Sequence, residues 1–395
     1  MGEEMRRKIF LLFPLPFLIR LIFSLTLKGP LFPDEDTYLR MIEYIRAGKG
    51  LSYPHLTASM PPFLPLLYTL ITYPPFPDLL EIRLFQAIIG GLLGILIFLW
   101  GKELFSPRIA FISYTIYSLY PTLIFFSALI LSESLYTFLL FLYLYSLWKM
   151  ERENSLKWGI LSGITGALSA LTRASVFSLF PFLYILLLII FLKEKKRLSI
   201  LGIHLLTLTL LYSPWIIRNW VRFHHLIITT TDGGWVLYSG NNPLNRTGGG
   251  IEGVDVKFPE EARKLNEIER DRYFRRKALE YIRQHPRRFL WLAGKKFARL
   301  WRLYPSPTSG YAKKKFIFIM LLSYGLLLPF AFLGFFKELK RWRILYPLYL
   351  PLFIFTLTHM VFIGSIRYRI PLLPYFIYFA SSGLGKIFSL RNEPG

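Results

Sequence analysis

Cysteine is absent from the 395-residue chain, which excludes a disulfide framework, a thiol nucleophile and any Cys-ligated metal. Acidic residues are few: 24 Asp and Glu stand against 48 Lys and Arg, for a formal net charge of +24. Histidine numbers only six. His55, His224, His225 and His359 show no His-x-x-x-His spacing, and the adjacent pair cannot share one helix face, which argues against a dedicated zinc site. Internal repeats, common in transporters, are lacking as well. Charged residues make up 18% of the chain, whereas 53% are hydrophobic, with 36 Phe and 24 Tyr. A soluble protein of this size does not need to be so apolar.

Several stretches approach the roughly 18–20 apolar residues that cross a hydrocarbon core about 30 Å thick, among them Leu84 to Trp100 and Val176 to Leu192. Arg6, Arg7 and Lys8 precede an apolar run to Leu27 with no small-residue cleavage site behind it, so the sequence predicts an uncleaved anchor. With that basic end on the cytoplasmic side, spans are expected near 9–27, 82–101, 109–128, 132–148, 158–172, 175–192, 199–217, 316–335, 344–363 and 370–388. The basic clusters Lys193–Arg197 and Lys337–Arg343 then fall in cytoplasmic loops, as the positive-inside rule requires. The stretch from Pro62 to Tyr73 is too short to cross and reads as a re-entrant or interfacial helix.

The expected fold is therefore an all-α polytopic membrane protein of about ten transmembrane helices, with interfacial helices in a long first outer loop. A transmembrane module, 1–217, carries that loop at 28–81. An extracytoplasmic stretch follows at 218–314, and transmembrane helices close the chain at 315–395. The outer stretch opens with a loop containing Asp232-Gly233-Gly234 and Gly240-Asn241-Asn242-Pro243. From Glu260 to Leu303 it reads as helices broken near Pro286. Between Lys257 and Arg302 there are 15 Lys and Arg against 6 Asp and Glu, a net of +9. With Phe289, Leu290, Trp291, Phe297 and Trp301 interleaved, this part suits a membrane surface. Because so much positive charge sits in loops beside spans, membrane lipids and not nucleic acid are the expected partner.

This topology gathers ionisable residues on one side. Asp34, Glu35 and Asp36 follow the first span, Glu133 begins the fourth, Arg173 ends the fifth, Arg218 ends the seventh, and Arg367 and Arg369 precede the tenth, all on the outer face. Charges near membrane depth are costly and usually face a cavity or a partner, so the gathering suggests one site. Glycosyl transfer with inversion needs a carboxylate to take the acceptor's proton and cations to hold a phosphate leaving group. Asp34 is the candidate base and Glu133 a second acid. Arg218, Arg367 and Arg369 are candidates for the phosphate, because guanidinium offers a planar fork of donors. Asp34, Asp36 and Glu133 together are a possible oxygen-ligand set for Mg²⁺ or Mn²⁺.

These residues resemble a family. Asp34-Glu35 with Tyr38, Gly48-Lys49-Gly50 and Pro61-Pro62-Phe63-Leu64-Pro65 look like the first outer loop of protein O-mannosyltransferase-like enzymes (glycosyltransferase family 39-like), of the C-type glycosyltransferase superfamily. The resemblance continues through Ser132-Glu133, Leu171-Thr172-Arg173, Pro214-Trp215-Ile216-Ile217-Arg218-Asn219, Gly240-Asn241-Asn242-Pro243 and Arg367-Tyr368-Arg369-Ile370-Pro371. It implies a multi-pass enzyme of the cytoplasmic (inner) membrane, its active site facing the outside or periplasm. The donor would be a polyprenyl-phosphate hexose or pentose, and the acceptor a glycolipid, glycan or protein hydroxyl. Asp34 takes the catalytic position, Glu35 is its acidic neighbour, and Arg173, Arg218, Asn219, Asn241, Asn242, Arg367 and Arg369 are expected at the substrates. The rival reading is a lipid-linked glycan transporter or flippase, in which the same charges relay protons or hold a headgroup.

Overall fold

The computed structural model describes residues 11–27, 29, 32–52, 55, 57–72, 79–250, 259–304 and 314–390; Arg6, Arg7, Lys8, Pro74, Pro75 and Lys257 lie outside them. Among the described residues the elements are helical, without β-strands. The N-terminal half runs α1 (Pro14–Leu25), α2 (Pro33–Arg46), α3 (Phe63–Ile71), α4 (Leu79–Leu104), α5 (Pro107–Leu119), α6 (Pro121–Ser127), α7 (Ser132–Glu153), α8 (Leu156–Thr172), α9 (Phe180–Phe191) and α10 (Lys195–Phe223). There follow α11 (Gly233–Gly240), α12 (Glu260–Arg263), α13 (Glu267–Gln284), α14 (Pro286–Trp301), α15 (Lys314–Met320), α16 (Leu326–Glu338), α17 (Trp342–Val361) and α18 (Leu373–Leu390).

The stretches read as spans are largely helical, with 3-10 turns opening those at 175–192 and 370–388 and a π-helical turn inside that at 316–335. Length and apolarity alone mark three helical stretches as long enough to cross a membrane: Leu79–Leu104, Lys195–Phe223 and Ile317–Val361. The α5–α6 pair, bent by 56°, makes a fourth. The stretch Ile317–Val361 is doubled back on itself. Tyr349 donates its hydroxyl to the Phe335 carbonyl at 2.8 Å, whereas fourteen residues of straight helix would part them by about 21 Å. The reversal lies at the 3-10 turn Leu339–Arg341. Helices α1 and α9 are apolar but only 12 residues long, or about 18 Å. The segment read from sequence as too short to cross is α3, nine residues and about 14 Å. The break foreseen near Pro286 falls at His285, between α13 and α14.

Local chemistry explains the bends and close approaches. Pro121 has no N–H, so the Tyr117 carbonyl loses its helical donor and α5 ends. Arg20, buried within otherwise apolar α1, repairs the break: its guanidinium donates to the Tyr117 carbonyl at 3.2 Å and the Ser118 carbonyl at 3.5 Å. A charge in an apolar helix persists because it satisfies backbone groups that have no water to turn to. Along α8, Gly159 rests on Ile200, Gly163 on His204 and Thr207, and Gly166 on Tyr143 and Leu208. This is the close packing that small residues allow between membrane helices.

The chain holds no native cysteine, so single-cysteine labelling maps its sidedness. With an impermeant thiol reagent added outside, Asp36→Cys should label and Lys195→Cys should stay protected until the membrane is opened.

Candidate active site

Helix α2 starts at Pro33, whose fixed φ and missing N–H suit a first helical position, and its first turn holds Asp34, Glu35 and Asp36, favoured there by the helix dipole. Successive helical residues point about 100° apart, so the three acids meet three different surroundings. Glu35 turns inward and is buried; its carboxylate accepts the Phe32 N–H at 3.0 Å and the Ile130 N–H at 2.8 Å. It caps the helix and ties it to the entrance of α7. Asp36 faces outward and pairs with Arg40 at 3.0 Å on the exposed face. Asp34 remains, half exposed, and accepts from Arg367 Nη1 at 2.5 Å.

Arg367 also donates through Nε to Glu133, which is fully buried at the start of α7. Arg173, where α8 ends, donates to the same carboxylate oxygen, Glu133 Oε1, at 2.9 Å and to Ser132 Oγ at 3.3 Å. Four distant parts of the chain thus meet in one network: Asp34, Glu133, Arg173 and Arg367. Burial alone would lower the pKa of Arg367, but Glu133 and then Asp34 push it well above its ordinary value. Tyr38, a turn after Asp34, is buried beside Ser132, Glu133 and both arginines. Tyr368 lies under the Arg173 guanidinium at 5.4 Å and stacks on His359 at 4.5 Å. Nε and Nη2 of Arg173 have no acceptor among the described residues and are not sealed from solvent.

The remaining expected residues have other partners. Arg218 donates to the Thr57 and Leu51 carbonyls at 3.0 and 3.2 Å, and to Asn219 Oδ1 at 2.8 Å, bracing the first outer loop. Asn219 in turn donates to the Ile227 carbonyl. Asn241 is held by Lys296 Nζ at 2.7 Å and donates to the Val361 carbonyl. Asn242 closes the turn at Leu244 and Asn245. Arg369, buried, donates to the Leu300 and Arg302 carbonyls and lies over the Tyr324 ring at 3.8 Å. Asp34, Asp36 and Glu133 do not converge on a point; Arg367 stands between Asp34 and Glu133, and among the described residues no three His, Cys, Asp or Glu side chains are arranged to hold a metal ion.

Two features escaped the reading of the sequence. Asp232, read as a turn residue, occupies the cap position of α11 without a capping bond from its side chain. Burial and Asp271 push its carboxyl up to about 7, against Arg270, with smaller contributions from Asp34 and Glu267. Lys296 is buried between Asn241 and the Val361 carbonyl, and burial pushes it down to about 7. An outer-loop acid beside the Asp34 loop was the one available signal for the first; nothing in the periodicity marked the second.

Residues 59–217 match the family model described as dolichyl-phosphate-mannose-protein mannosyltransferase. Among solved structures, the chain is similar to the apo-form oligosaccharyltransferase of Archaeoglobus fulgidus, with a TM-score of 0.55 and 13% sequence identity, over 95% of this chain and 50% of that one. The chain shares its fold with that oligosaccharyltransferase. No curated protein matches the chain. The chain spans half the length of that oligosaccharyltransferase. Glu133 and Arg173 lie inside the family-matched segment, whereas Asp34 and Arg367 lie outside it.

Removing one partner from a buried charge network leaves the others uncompensated, at a cost of about 3–5 kcal/mol. Glu133→Gln should therefore lower the thermal unfolding temperature of the purified protein clearly, while Asp36→Asn should not. Asp232 gives a pH test. Its folded pKa, about 7, lies above the ordinary 3.8, so the folded state binds the proton more tightly and stability is lost as pH rises between those values. The thermal stability of Asp232→Asn relative to wild type should rise from pH 4 to pH 7 and level off above.

Proposed function

We infer that the protein is an integral-membrane glycosyltransferase that moves a hexose or pentose from a polyprenyl-phosphate donor to an acceptor hydroxyl on the extracytoplasmic face. The observation that carries this reading is the joining of Asp34, the half-exposed acid, to the guanidinium pair Arg367 and Arg173 through Glu133. The family match and the shared fold support a lipid-linked donor.

In this reading Arg173, through its open Nε and Nη2 edge, and Arg367 take the donor phosphate, with Glu133 holding both cations in place. Charge-assisted hydrogen bonds of this kind are short and strong. Asp34 Oδ accepts the proton of the acceptor hydroxyl. The acceptor oxygen forms a bond to the anomeric carbon on the face opposite the phosphate, and the bond from that carbon to the phosphate oxygen breaks. Its electron pair leaves with polyprenyl phosphate, and the configuration inverts. Phosphate needs no strong general acid on leaving, so one carboxylate base suffices. Metal-ion participation is not required by this residue set, because Arg367 supplies positive charge between the two acids.

Release of polyprenyl phosphate from a panel of polyprenyl-phosphate sugars tests the reading. Asp34→Asn keeps size but not basicity, and should lose about 10²- to 10⁴-fold in turnover. Asp36→Asn, on the exposed face, should stay near wild type. Near-full turnover in Asp34→Asn would place the base elsewhere.

A further inference from the structure

A cavity of about 360 Å³ lies between the first outer loop, the start of α11 and the first two turns of α13. This is at the small end of the roughly 300–1,000 Å³ typical of ligand pockets. Its walls include Asp232, Trp235, Glu267, Arg270, Asp271 and Phe274. Trp235 forms the apolar wall, backed edge to face by the buried Phe274 with centroids 4.7 Å apart. Two of the three acids are engaged in holding the pocket together. Glu267 accepts from Ala58 N at 2.8 Å, Thr57 Oγ1 at 3.1 Å and Thr231 Oγ1. Asp271 accepts from Gly234 N at 2.5 Å and from Arg275 at 2.7 Å. Gly234 has no room for a side chain, because the Asp271 backbone abuts it.

Asp232 is different. It sits at a position where the Asp side chain ordinarily bonds its own helix, yet only its backbone carbonyl does so, accepting from Val236 N–H at 3.0 Å, and its carboxyl makes no capping bond. Its carboxyl lines the cavity instead. Asp34 is among the acids whose charge acts on Asp232, and Ser59, in the same first outer loop as Asp34, lines the cavity.

We propose that this cavity binds a sugar unit of the acceptor, so that the acceptor is a glycan or glycolipid and its hydroxyl reaches Asp34 from the cavity side. The inference rests on the transferase reading and names its acceptor class. A pyranose ring offers an apolar C–H face to Trp235 and hydroxyls to Asp232 and Arg270. The Glu267 and Asp271 carboxylates repel a phosphate group, which keeps the donor phosphate at Arg173 and Arg367. The raised pKa of Asp232 fits this role, since a protonated carboxyl both donates to and accepts from a hydroxyl pair; Asp271, Arg270, Asp34 and Glu267 are the charged groups that face it.

The test is saturation-transfer NMR and calorimetry on the full-length purified protein, titrated with methyl glycosides of mannose, glucose and galactose and, separately, with a Ser/Thr peptide. At least one glycoside should bind saturably. Its affinity should fall at least tenfold in Trp235→Ala and in Asp232→Ala, persist in Trp235→Phe, and be unchanged in Asp36→Asn, on the exposed face of α2. A melting curve for each variant checks that it is folded, and Trp235→Phe with Asp232→Asn keeps the test alive if an alanine variant is not. Glycoside binding indifferent to both positions, no glycoside binding at all, or peptide binding lost in the same variants would overturn the proposal. Polyprenyl-phosphate release separates the two readings. If release depends on Asp34 but glycoside binding ignores Asp232 and Trp235, the pocket fails and the transferase stands. If no donor is turned over while glycoside binding depends on both residues, the pocket stands and the donor reading fails.

Discussion

The structure depends on keeping Glu133 charged where no water reaches it. A buried carboxylate is tolerated only when it is paired and hydrogen-bonded, and Glu133 meets both conditions through Arg173 and Arg367. Each arginine comes from a different part of the chain, so satisfying one carboxylate fixes the end of α8 and the turn before α18 against the start of α7. Arg367 then reaches Asp34 and carries the constraint to α2. The same bonds that stabilise the outer end of the helix assembly thereby orient the residues proposed for chemistry.

Other charges near membrane depth follow the same physical rule toward a different end. Arg20 satisfies carbonyls freed by Pro121, Arg218 those of the first outer loop, and Arg369 those at the end of α14. An arginine with backbone carbonyls as partners is a brace, whereas one bonded to carboxylates belongs to the charge network, in which Arg173 keeps an open edge. By that distinction Arg173 and Arg367 are set apart from Arg218 and Arg369.

Much of the helical layout was legible in the sequence, because apolar length and basic loops are strong signals in a membrane chain. The short α3 followed from length alone, and the break before Pro286 from proline's geometry. Asp34, Glu133, Arg173 and Arg367 were picked out from their shared side of the membrane. What sequence does not carry is the direction in which a side chain points. Glu35 and Asp36 flank Asp34, yet one caps its helix and the other faces solvent, a matter of 100° steps around α2. Arg218 and Arg369 carry the same guanidinium as Arg367, and only tertiary contacts distinguish a brace from a ligand holder. Asp232 was invisible as a site residue because its Gly-Gly neighbours signal a turn.

The central claim is that Arg367, held between Asp34 and Glu133, also holds the donor phosphate. A ³¹P NMR titration of the purified protein with a short-chain polyprenyl phosphate tests it most directly, comparing wild type with Arg367→Lys, which keeps the charge but not the planar fork. Loss of one charged hydrogen bond, roughly 1.5–3 kcal/mol, predicts affinity weakened by about ten- to a hundredfold. Wild-type affinity in a folded Arg367→Lys protein would contradict the account.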